Sequence, residues 1–159
     1  MGIIRVGFGY DVHKLVNQRN LILGGVQIEY CRGLLGHSDA DVLVHAIIDA
    51  LLGAAALGDI GTHFPDNDLR YKDISSIILL QNTASMIADA GYNICNIDAT
   101  IVAQQPKLIS YIPQMTDRIS NALSVPNGNV NIKAKTTEGL GFIGIGDGIA
   151  AYAVTCIER

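Results

Sequence analysis

Ten residues near the N-terminus, Ile4 to His13, constrain the fold most, because their side chains alternate in type without a break. Ile4, Val6, Phe8, Tyr10 and Val12 fall on one face of an extended segment, and Arg5, Gly7, Gly9, Asp11 and His13 on the other, since successive strand residues point to opposite sides. Two glycines leave the second face bare just before Asp11 and His13. That pattern suits close approach of a ligand or of another backbone. Asp11 and His13 then project from the same side.

A second constraint lies thirty residues on. Ser38 has the character of an N-cap, with Asp41 at the third helical position, for a helix running to about Leu57 before Gly58. Along it Asp41, His45 and Asp49 recur every four residues and share a stripe, while Val42, Ile47, Ile48, Leu51 and Leu52 lie largely away from it. Asp11, His13 and His45 together make the ligand set of an open catalytic zinc site: three protein ligands leave a tetrahedral ion one position for a reacting oxygen. Carboxylates four residues to either side of His45 are spaced to orient its ring. Plainer readings compete, because a D-x-H tripeptide is commonly just a hydrogen-bonded pair and Asp41 and Asp49 suit capping and a solvated face.

The rest of the chain reads as alternating strands and helices. Leu21 to Tyr30 is a strand or hairpin arm bent at Gly24-Gly25, a helix spans Ile74 to Ala90 between Asp73 and Gly91, and Asn93 to Ala103 alternates as a strand. A third helix runs from about Pro113 to Leu123, Pro126-Asn127-Gly128 turns into a strand from Asn129 to Lys135, and a glycine-rich loop from Gly139 to Gly148 leads to a last strand, Ile149 to Ile157. The expectation is an α/β (α+β) fold in a single domain over 1–159, one mixed sheet covered by about three helices.

Composition limits the partners. At 159 residues and 49% hydrophobic the chain suits one real core, and 16% charged residues is sparse for a monomer's surface, so part of that surface is expected to face other subunits. A formal charge of -4 with few clustered cations argues against nucleic acid as the main partner. The three cysteines, Cys31, Cys95 and Cys156, form no CxxC pair and read as reduced thiols. With no apolar run of membrane-spanning length and no signal or transit segment, a cytoplasmic protein away from membranes is expected.

Other polar clusters point to phosphate. Lys135-Thr136-Thr137-Glu138 ends a strand and enters the glycine-rich loop, offering a cation, two hydroxyls, backbone N–H groups and a hard carboxylate suited to Mg²⁺. Neither the P-loop nor the Rossmann glycine fingerprint is present.

Six segments in order, FGYDVH from Phe8, LLGHSDADV from Leu34, HAIIDALLGA from His45, GDIG from Gly58, FPD from Phe64 and KTTE from Lys135, resemble the 2-C-methyl-D-erythritol 2,4-cyclodiphosphate synthase family across nearly the whole chain. The resemblance implies a homotrimer with active sites at subunit interfaces, converting 4-diphosphocytidyl-2-C-methyl-D-erythritol 2-phosphate to the cyclic diphosphate and CMP. It implies Zn²⁺ on Asp11, His13 and His45, and Mg²⁺ or Mn²⁺ held by Glu138 and the substrate phosphates. His37 and Thr136 match the positions that stabilise the transition state, with Ser38 beside them. Asp59, Ile60 and Gly61 are expected near the erythritol hydroxyls, with Phe64, Asp66 and Asp68 in the next loop. Ala103, Pro106, Lys107, Leu108 and Ile109 match the cytidine pocket, completed by Lys135 and Thr137, and Phe142 is expected among the substrate contacts. Where many members carry arginine, near the trimer's central cavity, this chain has Ile145, and Gly139 replaces a basic residue; weak binding of isoprenoid diphosphates there is expected. The competing readings are a zinc-dependent phosphohydrolase and a non-enzymatic ligand-binding trimer.

Overall fold

The computed structural model describes residues 2–159, so the first residue of the expected 1–159 domain lies outside it. In chain order the elements are β1 (Ile4–Asn17), β2 (Leu21–Leu23), β3 (Val26–Ile28), β4 (Arg32–Leu34), α1 (Val42–Ala54), α2 (Ile60–His63), α3 (Ser76–Asp89), β5 (Asn93–Val102), α4 (Ile112–Leu123), β6 (Val130–Lys135), α5 (Gly141–Gly144) and β7 (Gly148–Glu158). Five strands form one mixed sheet in the order β4-β1-β7-β5-β6, antiparallel except for the β5–β6 pair. A parallel pair needs a crossover, and α4 supplies it. The segment from Leu21 is not an arm of the main sheet: β2 and β3 pair only with each other across Gly24-Gly25, both at positive φ, the conformation a tight two-residue hairpin turn demands.

The bare glycine strip of β1 receives α1. A Cβ at Gly7 would lie 1.9 Å from the Ala50 carbonyl oxygen, and one at Gly9 1.9 Å from that of Ala46, so only glycine lets the helix backbone seat on the strand. This contact brings His45 of α1 over the end of β1 that carries Asp11 and His13. Helix α1 is buried nearly all round, so its polar stripe faces other protein groups rather than solvent. The opposite face of β1 is uncovered: Val6 and Phe8 are 67% and 63% exposed, and Tyr10, Tyr152 and Val154 lie beside them in register.

Three helix boundaries depart from the expected ones. The N-cap of α1 is Asp41, not Ser38, because Ala40 sits at φ 57 and breaks the helical path, while the Asp41 carboxylate accepts from Val44 N–H. At the other end α1 stops at Ala54 rather than Leu57. There Leu57 N–H bonds Leu52 C=O and Ala56 N–H bonds Gly53 C=O around a left-handed Ala56, a closure normally given to glycine. Helix α3 begins two residues after the expected Ile74, but Gly91, at φ 80, ends it as its sequence position suggests.

Candidate metal centre and adjoining cleft

Strand β1 and helix α1 bring three side chains to one point. Asp11 Oδ2 lies 2.9 Å from His13 Nε2 and 3.0 Å from His45 Nδ1, and the two imidazole nitrogens are 3.2 Å apart. Among the described residues this is the only group of three or more His, Cys, Asp or Glu placed to hold a metal ion. A carbonyl can only accept, so the 2.7 Å contact of His13 Nδ1 with Leu35 C=O keeps the proton on Nδ1 and turns the Nε2 lone pair inward. Burial pushes the Asp11 carboxyl up, but the adjoining imidazoles, His13 first and then His45, outweigh it and bring it down to about 2. His13 moves the other way: burial lowers it, and the Asp11 carboxylate more than compensates. One anionic oxygen and two imidazole nitrogens at contact distance fit a zinc ion as three ligands with a fourth position open.

The triad opens on a cleft of about 470 Å³ that is also lined by His37, Ser38, Ile60, Gly61, Phe64 and Asp66. His37 Nε2 donates to the Asp68 carbonyl at 3.0 Å, while the Asp68 carboxylate is engaged with Arg70. Asp59 caps α2 by accepting from Thr62 N–H and Oγ1–H, and the hydroxyl and then the amide hold its carboxyl below the usual range. Helix α2 is tied to α1 by Asp49, which accepts from Ile60 N–H at 2.8 Å.

A separate pocket of about 240 Å³ is lined by Ala103, Pro106, Lys107, Leu108, Ile109, Lys135 and Thr136, among others. Its backbone comes from the end of β6 and the segment after β5. Register runs Val12–Ala150–Val102–Lys135 across the sheet, so Lys135 stands three strand spacings, about 14 Å, from Val12. Within one chain, then, Thr136 and Glu138 do not join the triad; Thr136 Oγ1–H donates to Glu138 at 2.8 Å on the exposed side. Thr137 Oγ1 donates to Leu140 C=O, and Phe142 lies in a third recess with Val12 and His13.

The groups around His45 differ from the expected ones. Asp41 accepts from Gly24, Gly25 and Val44 N–H, and neither it nor Asp49 makes a hydrogen bond to the imidazole. His45 Nε2 instead meets Ser76 Oγ at 2.8 Å and Ser38 Oγ at 3.2 Å. Sequence reasoning missed Ser76 and Asp39; the only signal was the polar density of Gly36 to Asp41, which said nothing of a partner at the start of another helix.

A mixed sheet backed by helices on one face, with an Asp-His-His group placed to hold a metal ion at the opening of a cleft, defines an α/β protein with the parts of a metal-dependent enzyme. The chain belongs to the YgbB family, whose sequence model matches residues 4–158. It is 62% identical over 156 residues to the 2-C-methyl-D-erythritol 2,4-cyclodiphosphate synthase of Alkaliphilus oremlandii, covering 98% of this chain and 99% of that one. The bifunctional IspDF of Campylobacter jejuni superposes with a TM-score of 0.96 at 41% identity, over 100% of this chain and 43% of that longer one. IspF of Plasmodium falciparum, solved as a CDP complex, gives a TM-score of 0.84 at 36% identity, over 97% and 95% of the two chains.

Proposed function

We propose that this chain is a phosphorus-oxygen lyase that turns 4-diphosphocytidyl-2-C-methyl-D-erythritol 2-phosphate into 2-C-methyl-D-erythritol 2,4-cyclodiphosphate and CMP, a step of the methylerythritol phosphate route to isoprenoids. The observation that carries it is the Asp11-His13-His45 centre opening on a cleft beside His37, in a chain so similar to proteins bearing that name. In the reaction an oxygen of the 2-phosphate bonds to the β-phosphorus, and the bond from that phosphorus to the α-bridging oxygen breaks, its electron pair leaving with CMP. The nucleophile is already anionic, so no side chain has to remove a proton.

Asp11, His13 and His45 would hold zinc, and Glu138 a magnesium or manganese ion; these cations neutralise and polarise phosphate oxygens when bound. The protein's own part is orientation and donation. His37 Nε2–H, accepted by the Asp68 carbonyl in the free chain, is available to a phosphate oxygen, and Thr136 Oγ1–H, held by Glu138, is a second such donor. The apolar lining of Ala103, Pro106, Leu108 and Ile109, with Lys107 and Lys135 at its rim, suits a cytidine with its phosphates. The CDP complex of the Plasmodium falciparum relative supports that assignment.

One substrate must touch both pockets, yet they lie about three strands apart in a single chain. We place each active site between two subunits of a homotrimer, the triad cleft of one protomer facing the Lys135 to Glu138 loop of its neighbour. The uncovered apolar face of Val6, Phe8, Tyr10, Tyr152 and Val154 supports such an assembly, because exposed patches of this kind mark protein contacts. Exposed Ile145 offers no charge to an isoprenoid diphosphate in the central channel. Among the described residues no helix is long and apolar enough to cross a membrane, and the three cysteines are free, which supports work in the cytoplasm.

Incubation with the cytidyl substrate, zinc and magnesium, followed by phosphorus NMR, tests the proposal. CMP with the cyclic diphosphate is the expected result. A hydrolysed phosphate without the ring would favour the phosphohydrolase that the relatives' names do not. Asp11→Ala and His45→Ala should abolish turnover, and removal of metal by a chelator should do so reversibly.

A further inference from the structure

We infer that Asp39 and Ser76 form a positioning relay behind the metal centre, fixing which nitrogen of His45 faces the ion; this rests on the metal-site reading above. Ser76 Oγ donates to Asp39 Oδ1, and a carboxylate can only accept, so the hydroxyl proton is committed to Asp39. The Ser76 oxygen therefore turns a lone pair to His45, 2.8 Å away, and takes the Nε2–H. With its proton on Nε2, the imidazole presents an unprotonated Nδ1 to Asp11 Oδ2 and His13 Nε2. Ser38 Oγ, 3.2 Å from the same nitrogen, accepts from Ala40 N–H and is a longer, secondary partner.

The order of donors runs one way, from imidazole to hydroxyl to carboxylate; the hydroxyls are shielded from solvent, and Asp39 at the end is half-buried. Ser76 is fully buried and Ser38 nearly so. Asp39 is anchored independently, by Ser76 N–H at 2.9 Å and Asp41 N–H at 3.2 Å, so it cannot swing away from the hydroxyl without uncapping α3. His13 obtains the same service from one carbonyl, Leu35 C=O. The two imidazoles thus present different nitrogens, Nε2 of His13 and Nδ1 of His45, and each is locked by a hydrogen bond on its far side. Such partners raise ligand basicity and hold ring orientation, and their loss typically costs roughly 10- to 100-fold in metal affinity.

Ser76→Ala is the direct test, since the backbone N–H that Asp39 caps is retained while the hydroxyl link is cut. Zinc affinity is measured by chelator competition and ligand geometry by the visible spectrum of the cobalt(II) form, with Ser75→Ala as control because the Ser75 side chain makes no capping hydrogen bond. The expected result is zinc binding weakened about 10- to 100-fold, with altered cobalt bands, in Ser76→Ala and neither change in Ser75→Ala. Zinc affinity within about twofold of the parent would overturn the relay. If Ser76→Ala fails to fold, Ser76→Thr and Ser76→Val, equal in shape and differing in the hydroxyl, provide the same comparison: tighter zinc in the Thr variant supports the relay, and equal affinity overturns it. A parent chain that binds no zinc would instead overturn the metal-site reading itself.

Discussion

Asp41 shows how a residue can be legible in type and not in role. Its spacing from His45 suggested a carboxylate orienting the imidazole, but it is fully buried and accepts three backbone N–H groups, from Gly24, Gly25 and Val44. It pins the β2–β3 hairpin to the start of α1, holding in place the helix that carries His45. Asp41→Asn would set an N–H₂ against a backbone N–H, and a destabilisation of about 1–3 kcal/mol in urea unfolding is expected. Burial, with the charge of Asp39, pushes the Asp41 carboxyl up to about 6 against the pull of those N–H groups. A folded value above the ordinary carboxylate value means that its contribution to stability is full below about pH 4 and is lost as pH rises through about 6. Urea midpoints measured from pH 4 to 7 should fall accordingly in the parent and fall less in the variant. His37, by contrast, keeps its place in the cleft with its donor on a carbonyl that a phosphate can displace; His37→Ala is expected to lower kcat roughly 10²- to 10³-fold, read in the CMP-release assay, with zinc affinity unchanged.

At the scale of elements, strand β1 was legible from Ile4 to His13, although it runs on to Asn17. Period-two alternation set its faces, and its glycines announced a close approach that turned out to be the α1 backbone. Gly9→Ala should therefore destabilise at the upper end of the roughly 1–3 kcal/mol typical of overpacking, and it should also weaken zinc binding, because α1 must shift and His45 with it. Chelator competition on the folded fraction checks the second effect. Helix ends were less legible. The start of α3 at Ser76 depends on a contact from a distant segment, Asp39, of which local propensity carries no record, and Ala56 takes a left-handed closure normally given to glycine. The same is true of the hairpin, whose separation from the main sheet is a matter of pairing rather than of strand propensity.

For the whole molecule, the uncovered apolar face and the distance between the two pockets make the same demand. A lone 16.9 kDa chain leaves Phe8 and Val6 in water and its Lys135 to Glu138 loop remote from the triad, and the proposed trimer would answer both. Phe8→Glu is expected to give folded monomers in sedimentation velocity, with zinc still bound and turnover lost; trimers retaining full activity would contradict the placing of that face at the interface. By itself the sequence determined which residues alternate and which side chains are candidates to hold a metal ion or phosphate, because these follow from local periodicity and the chemistry of side chains. Only the tertiary structure decided which face of β1 is covered, that Asp41 braces a hairpin while Ser76 and Asp39 stand behind His45, and that the two pockets of one chain lie apart. Each depends on contacts between residues distant in sequence, where packing and hydrogen-bond satisfaction rather than spacing choose the partner.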